Sequence, residues 1–180
     1  MNSLSYALLS LLVRKPCSGY ELRMLLDVLW PAKHSQIYPL LTKLKDKDWV
    51  TFEQVQQKGR PDKKIYSITD SGKDVLKDWL KTEPEPPIQR DEFLIKAYAI
   101  WLTDERKGKK LIMERLERYK SLLSQHESVL KEMEEEFGGD LRKKTSPQFG
   151  RFILFKRRLR MDKEEIDWCE WVLELLEQVE

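Results

Sequence analysis

Eight side chains between residues 112 and 137 recur in alternating steps of four and three: Ile112, Leu116, Tyr119, Leu123, His126, Leu130, Met133 and Phe137. A mean period of 3.5 residues is what a helix shows when one stripe of it packs along another helix. Residues 104–137 are therefore predicted to form one long helix, which Gly138-Gly139-Asp140 breaks. A second helix is predicted from Ser146 and Pro147 to the C-terminus. Along it Phe152, Leu159, Ile166 and Leu173 stand seven apart, with Phe155, Cys169 and Leu176 at the paired positions and Asp162 as the exception. Trp168, Trp171 and Val172 widen this face beyond a narrow stripe. Two helices so rich in apolar surface need a third body to cover them, and a second copy of the chain supplies one. Phe152, Phe155, Leu159, Ile166, Trp168 and Leu173 are expected to carry that contact, helped by Leu4, Leu8 and Leu11 near the N-terminus.

A stiff connector, Thr82-Glu83-Pro84-Glu85-Pro86-Pro87, separates this region from a different architecture before it. The expected organisation is a domain over residues 1–81, a Pro-rich linker over 82–90 and a helical dimerisation domain over 91–180, where a short apolar helix over 91–101 comes first. Residues 4–13 are apolar almost all round, as befits a helix buried on more than one side. Ser18-Gly19-Tyr20-Glu21 has capping-box spacing and opens a second helix bearing Leu22, Leu25, Leu26 and Leu29, which Trp30-Pro31 ends. Ser35 is the expected cap of a third helix reaching about Lys47, with Ile37, Leu41 and Leu44 turned inward. Two β-prone runs, residues 49–55 and 63–68, flank a polar turn with Gly59 and Pro61 and read as a hairpin. A fourth helix follows over residues 70–80.

Three helices, a hairpin and a helix, in that order, describe a winged helix-turn-helix. The fold class is thus mainly α with a small β-hairpin: an N-terminal winged helix-turn-helix plus a C-terminal antiparallel helical dimerisation domain. With its apolar triad inward, the third helix presents Ser35, Gln36, Tyr38, Pro39, Thr42, Lys43 and Lys45 outward. Gln pairs bidentately with adenine, while Tyr, Thr and Lys suit phosphates and base edges. The hairpin offers Lys58, Arg60, Lys63 and Lys64 to a phosphate backbone or a minor groove. Charge supports an anionic partner for this half alone, since residues 1–81 carry 14 Lys and Arg against 9 Asp and Glu while the rest is net acidic. The predicted partner is double-stranded DNA.

Other classes fit less well. Two histidines, no Gly-rich phosphate loop and no Cys/His ligand spacing offer no convergent catalytic set, no metal site and no cofactor site. Cys17 and Cys169 are read as small buried hydrophobes, His126 as a satisfied seam histidine, and Glu134-Glu135-Glu136 as a solvated helix end. The apolar N-terminus is followed by Arg14, Lys15 and Pro16, the reverse of a secretory signal, and no run is long enough to span a bilayer, so a cytoplasmic location is expected. A winged helix that binds protein instead of DNA is the main rival.

The stretch Lys33-His34-Ser35-Gln36-Ile37-Tyr38-Pro39-Leu40-Leu41-Thr42-Lys43-Leu44, the pair Trp49-Val50 and the run Tyr66-Ser67-Ile68-Thr69-Asp70-Ser71-Gly72 resemble the PadR family of bacterial regulators. So do Asp91-Glu92-Phe93-Leu94-Ile95-Lys96-Ala97-Tyr98 and Ser146-Pro147-Gln148-Phe149-Gly150, which resemble the longer members. This resemblance implies a homodimeric repressor on an inverted-repeat operator, released by a small ligand. Trp30, Lys33 and His34 bring an aromatic face, a cation and a titratable donor together before the third helix, a set suited to a small aromatic carboxylate or phenol. The same residues equally suit a structural arrangement: Trp30 in the core, Lys33 on a phosphate, His34 capping its helix. The resemblance favours the effector, because founding members of the family respond to phenolic acids. A repressor of efflux or stress genes answering another planar toxic compound is the alternative.

Overall fold

The computed structural model describes residues 1–27, 29–56, 62–88 and 90–178. They form two compact units, Met1–Pro84 and Glu85–Glu180. In the first, Asn2 caps α1 (Ser3–Leu12), its side-chain oxygen accepting from the Ser5 N–H at 3.1 Å. Leu4, Leu8, Leu9 and Leu12 of α1 are buried against Leu22 and Leu26 of α2 (Gly19–Leu26) and Ile37, Leu41 and Leu44 of α3 (His34–Asp46). Each such leucine contributes about 1.5–3 kcal/mol by leaving water. After a left-handed turn at Asp48 (φ 56°), β2 (Val50–Val55) and β3 (Lys63–Ile68) pair antiparallel from Val50↔Ile68 to Val55↔Lys63. Thr69 then caps α4 (Asp70–Trp79): its hydroxyl accepts from the Gly72 N–H at 3.0 Å and donates to the Asp48 carbonyl at 2.7 Å. Tyr6 stacks on Trp79 at 4.5 Å and ties α4 to α1.

Three local expectations are revised. A third strand, β1 (Cys17–Ser18), lies along β3 with Cys17↔Tyr66 and Ser18↔Ile65, giving the sheet order β1-β3-β2. The second helix stops at Leu26, a turn before Trp30-Pro31, because the Leu26 carbonyl accepts from the N–H groups of both Leu29 and Trp30. Leu29 is consequently exposed. The third helix is capped at Lys33, with Ser35 already helical: Gln36 turns back so that its side-chain oxygen accepts from the Lys33 N–H at 3.0 Å. Pro39 falls inside α3 and has no N–H to offer the Ser35 carbonyl.

The second unit opens with Asp91 capping α5 (Glu92–Tyr98), followed by a 3-10 turn at Ile100–Leu102. The long helix α6 (Glu105–Phe137) is capped by Asp104 and ends at Gly138, whose φ of 49° turns the chain. A second 3-10 turn, Gly138–Arg142, leads towards α7 (Phe149–Glu177). Helices α6 and α7 run antiparallel, as the ion pairs Glu134–Lys156, Glu127–Lys163 and Lys120–Glu170 record. Their seams meet inside one chain. Ile112, Leu116, Leu130 and Met133 are buried on one side, and Phe155, Leu159, Asp162, Ile166 and Cys169 on the other.

Several of the side chains expected to hold a second copy are already packed within this chain. Phe155, Leu159 and Ile166 are buried within the chain's own second unit, and Phe152, Trp168 and Leu173 are half-buried. Leu4 and Leu8 lie in the core of the first unit, with Leu11 packed against it. The apolar side chains left in solvent are others: Ile153, Leu154, Met161, Trp171 and Leu175 on α7, and Ile95, Tyr98, Trp101 and Leu102 on and after α5. Among the described residues no helix is long and apolar enough to cross a membrane.

Candidate nucleic-acid interface

Helix α3 divides cleanly. Ile37, Leu41 and Leu44 are at most 1% exposed and anchor it in the core. Ser35, Gln36, Tyr38, Pro39, Thr42, Lys43 and Lys45 are all exposed, so the structure brings together every sequence-predicted residue of this helix on its solvent side. Four of them have local partners, and the Lys45 ammonium lies 3.9 Å from Asp46. The Gln36 carboxamide is engaged through its oxygen by the Lys33 N–H, leaving its NH2 group outward. The Thr42 hydroxyl donates to the Tyr38 carbonyl at 3.2 Å. The Tyr38 ring stacks on His34 at 5.9 Å and lies across Gly19.

Of the wing residues, Lys58 and Arg60 lie outside the described residues. Lys63 stands on β3 with its ammonium 3.4 Å from Glu21, so part of its charge is already matched within the unit. Glu21 is the reciprocal half of the Ser18 capping box, accepting from the Ser18 N–H at 2.8 Å. The Ser18 hydroxyl and N–H hold its carboxyl below the usual carboxylate range, and Lys63 adds to this. Lys64 is exposed and sits 4.5 Å over the Phe52 ring, a cation–π contact that directs it along the hairpin.

The residues named for an effector, Trp30, Lys33 and His34, do not take up the structural arrangement read as the alternative. Trp30 is 48% exposed and does not pack the core. Lys33 is exposed and is itself the N-cap. His34 is the first helical residue, and its ring stacks on Tyr38 and, at 6.5 Å, on Tyr20. Tyr20 was not singled out from the sequence; its position one turn-start before a capping glutamate gives no sign of an aromatic partner fourteen residues on. Both cysteines are buried, and burial pushes the thiols up, Cys169 to about 11, so neither is a nucleophile at neutral pH. Among the described residues no cluster of three His, Cys, Asp or Glu is placed to hold a metal.

A unit of four helices and a small antiparallel sheet, with one helix presenting an exposed polar face, has the architecture of the winged helix-turn-helix class of DNA-binding proteins. Known proteins narrow this further. Residues 8–78 match the model of the transcriptional regulator PadR-like family, and residues 89–177 match that of the virulence activator alpha C-terminal region. The negative transcriptional regulator PadR of Bacillus subtilis is 33% identical over 183 residues, covering 99% of this chain and 100% of that protein. The crystal structure of B. subtilis PadR in complex with operator DNA is similar with a TM-score of 0.78 and 34% identity, over 98% of this chain and 100% of that one. The same protein's structure in complex with p-coumaric acid is similar with a TM-score of 0.75 and 33% identity, over 98% and 96% of the two chains. This chain belongs to the PadR-like family of transcriptional regulators. It is a PadR-like DNA-binding regulator, and its relatives are regulators, not enzymes.

Proposed function

We propose that the chain is a homodimeric repressor that binds an inverted-repeat operator and leaves it when a small aromatic acid or phenol binds. The observation that carries this is the exposed face of α3, where Gln36, Tyr38, Thr42 and Lys43 stand opposite a fully buried apolar triad. Such a helix is rigidly mounted and chemically equipped to read a major groove. The operator complex of a relative covering the whole chain supports it. Ser35, Pro39 and Lys45 complete the helix contact, and Lys58, Arg60, Lys63 and Lys64 the wing.

Two recognition helices on a symmetric site require a two-fold pair of chains with half-sites about one helical turn apart. On α7, Leu154, Met161 and Leu175 are exposed at positions seven or fourteen residues apart, beside the seam shared with α6, and the half-buried Trp168 fills the same register where it packs on Phe93. This stripe, with Trp171 and the exposed side chains around Trp101, replaces the buried set as the proposed dimer surface. For the effector, the p-coumaric acid complex of the B. subtilis relative supports a phenolic acid. Trp30, Lys33 and His34 are the proposed receivers: an open indole for the ring, an ammonium for the carboxylate and an imidazole stacked on Tyr38 itself. A ligand there favours release only by binding the DNA-free conformation more tightly, and operator must weaken ligand binding by the same factor. Footprinting on DNA flanking the protein's own gene, with and without p-coumarate, tests both claims. Two protected half-sites a turn apart that p-coumarate abolishes, except in His34→Ala, are expected. Protection that p-coumarate leaves untouched at any soluble concentration would contradict the effector assignment.

A further inference from the structure

Gly19 opens α2, yet nothing in the backbone there calls for glycine. The positive-φ residues of the described chain are Asp48 and Gly138, so Gly19 has an ordinary conformation. Alanine is the better helix former at such a position. What a methyl group would meet is one side chain. A Cβ on Gly19 would lie 2.7 Å from Tyr38 Cε1, 2.9 Å from Cζ and 3.0 Å from Oη. His34 also lies beside that phenol, its ring nearly parallel at 12° with 5.9 Å between centroids, and Tyr20 lies 6.5 Å from His34 at 27°. Tyr38 therefore rests against the bare Cα of Gly19 and beside the His34 imidazole, although it remains 45% exposed on the solvent side of α3.

We propose that Gly19 is a positioning residue for operator specificity: by lacking a side chain it holds the Tyr38 phenol in one orientation before DNA arrives. An exposed tyrosine on a helix otherwise samples several rotamers, and fixing it on binding weakens affinity. Seating it during folding removes that loss and aims the hydroxyl at one place along the groove. The absence of a side chain at Gly19, not its flexibility, is the functional property. This rests on the assignment of α3 as the DNA-reading helix.

The test is a double-mutant cycle on the full chain: wild type, Gly19→Ala, Tyr38→Ala and the double variant. The probes are a duplex selected by the wild-type chain from a randomised library and a scrambled duplex of equal length. Gly19→Ala should weaken the selected duplex roughly three- to tenfold and change the scrambled one less than about twofold. In the Tyr38→Ala background the same methyl should have no effect on either. The methyl displaces only the far end of a flexible side chain, so the thermal midpoint should stay at or above that of wild type. A midpoint that falls and is not restored in the double variant would show that the methyl meets something other than the ring, overturning the proposal. Equal losses in both backgrounds, or a Gly19→Ala chain that binds as wild type while Tyr38→Ala does not, would also overturn it. If Tyr38→Ala binds as wild type while Gln36→Ala is impaired, the phenol is no DNA contact and the proposal falls with α3 still reading DNA. A wild-type chain that selects no duplex would remove the functional assignment itself.

Discussion

Replacing His126 by alanine should destabilise the second unit by about 3–5 kcal/mol, the usual cost of stripping one partner from a buried pair. His126 Nδ1 is hydrogen-bonded to Asp162 Oδ2 at 2.6 Å, and the Asp162 side chain is fully buried. Its other oxygen, Oδ1, has no hydrogen-bond partner among the described residues: Arg158 Nε stands 3.8 Å away, within ion-pair range but too far to donate. Removing the imidazole leaves the carboxyl group without a hydrogen bond among the described residues, only the longer Arg158 ion pair remaining, and takes an edge-on ring contact from Phe155, 6.0 Å between centroids. Urea unfolding followed by circular dichroism at 222 nm, at fixed protein concentration, reads the change, because α6 and α7 dominate the helical signal. With a slope near 2 kcal/mol/M, the midpoint should fall by roughly 1.5–2.5 M. Asp162→Val combined with His126→Leu should recover most of the loss, since matched apolar residues serve a helix seam as well as a buried pair does. A single His126→Ala cost below about 1 kcal/mol would contradict this, for it would mean that Asp162 does not depend on the imidazole.

Two further outcomes follow from the first unit. Gly72→Ala should destabilise it by about 1–3 kcal/mol, because a Cβ there would lie 2.2 Å from the Trp49 carbonyl, a backbone atom that also accepts from the Thr69 N–H at 3.0 Å and cannot swing aside; thermal unfolding checks this, and an unchanged midpoint would contradict it. Glu21 has its folded carboxyl held below the ordinary range by Ser18, so its contribution is present above the unfolded pKa and lost as pH falls through the folded one. The stability gap between wild type and Glu21→Gln should accordingly be full at pH 7 and close below about pH 4, and a gap that widens on acidification would be the wrong sign.

What was legible in the residues, and what was not, divides along physical lines. The inward triad of α3, the Ser18–Glu21 cap and both hairpin strands follow from spacing and local propensity, which are properties of short stretches. The strand β1 is two residues long and doubles as the approach to a helix cap, so it exists only by virtue of Tyr66 and Ile65 across from it. Propensity favours a hydroxyl such as Ser35 as a cap; the structure instead uses the Gln36 side chain from inside the helix. A heptad stripe states that a helix packs on another helix, not on which chain the partner lies, and here the Gly138 turn returns α7 onto α6. His126 and Asp162 each stood out as the polar member of an apolar series. Only the antiparallel register brings them together across 36 positions. Tyr20, His34 and Tyr38 likewise meet only because α2 and α3 are packed at their N-terminal ends.

The exposed face of α3 is proposed to read base sequence. The most direct measurement compares the affinities of wild type and Gln36→Ala for a selected duplex and for three variants of it, each with one base pair changed, at fixed salt. A residue that reads a base edge should lose about 1–3 kcal/mol on the selected duplex and lose its preference at one base pair only. If Gln36→Ala weakens all four duplexes equally, or none, α3 does not discriminate sequence and the account is contradicted.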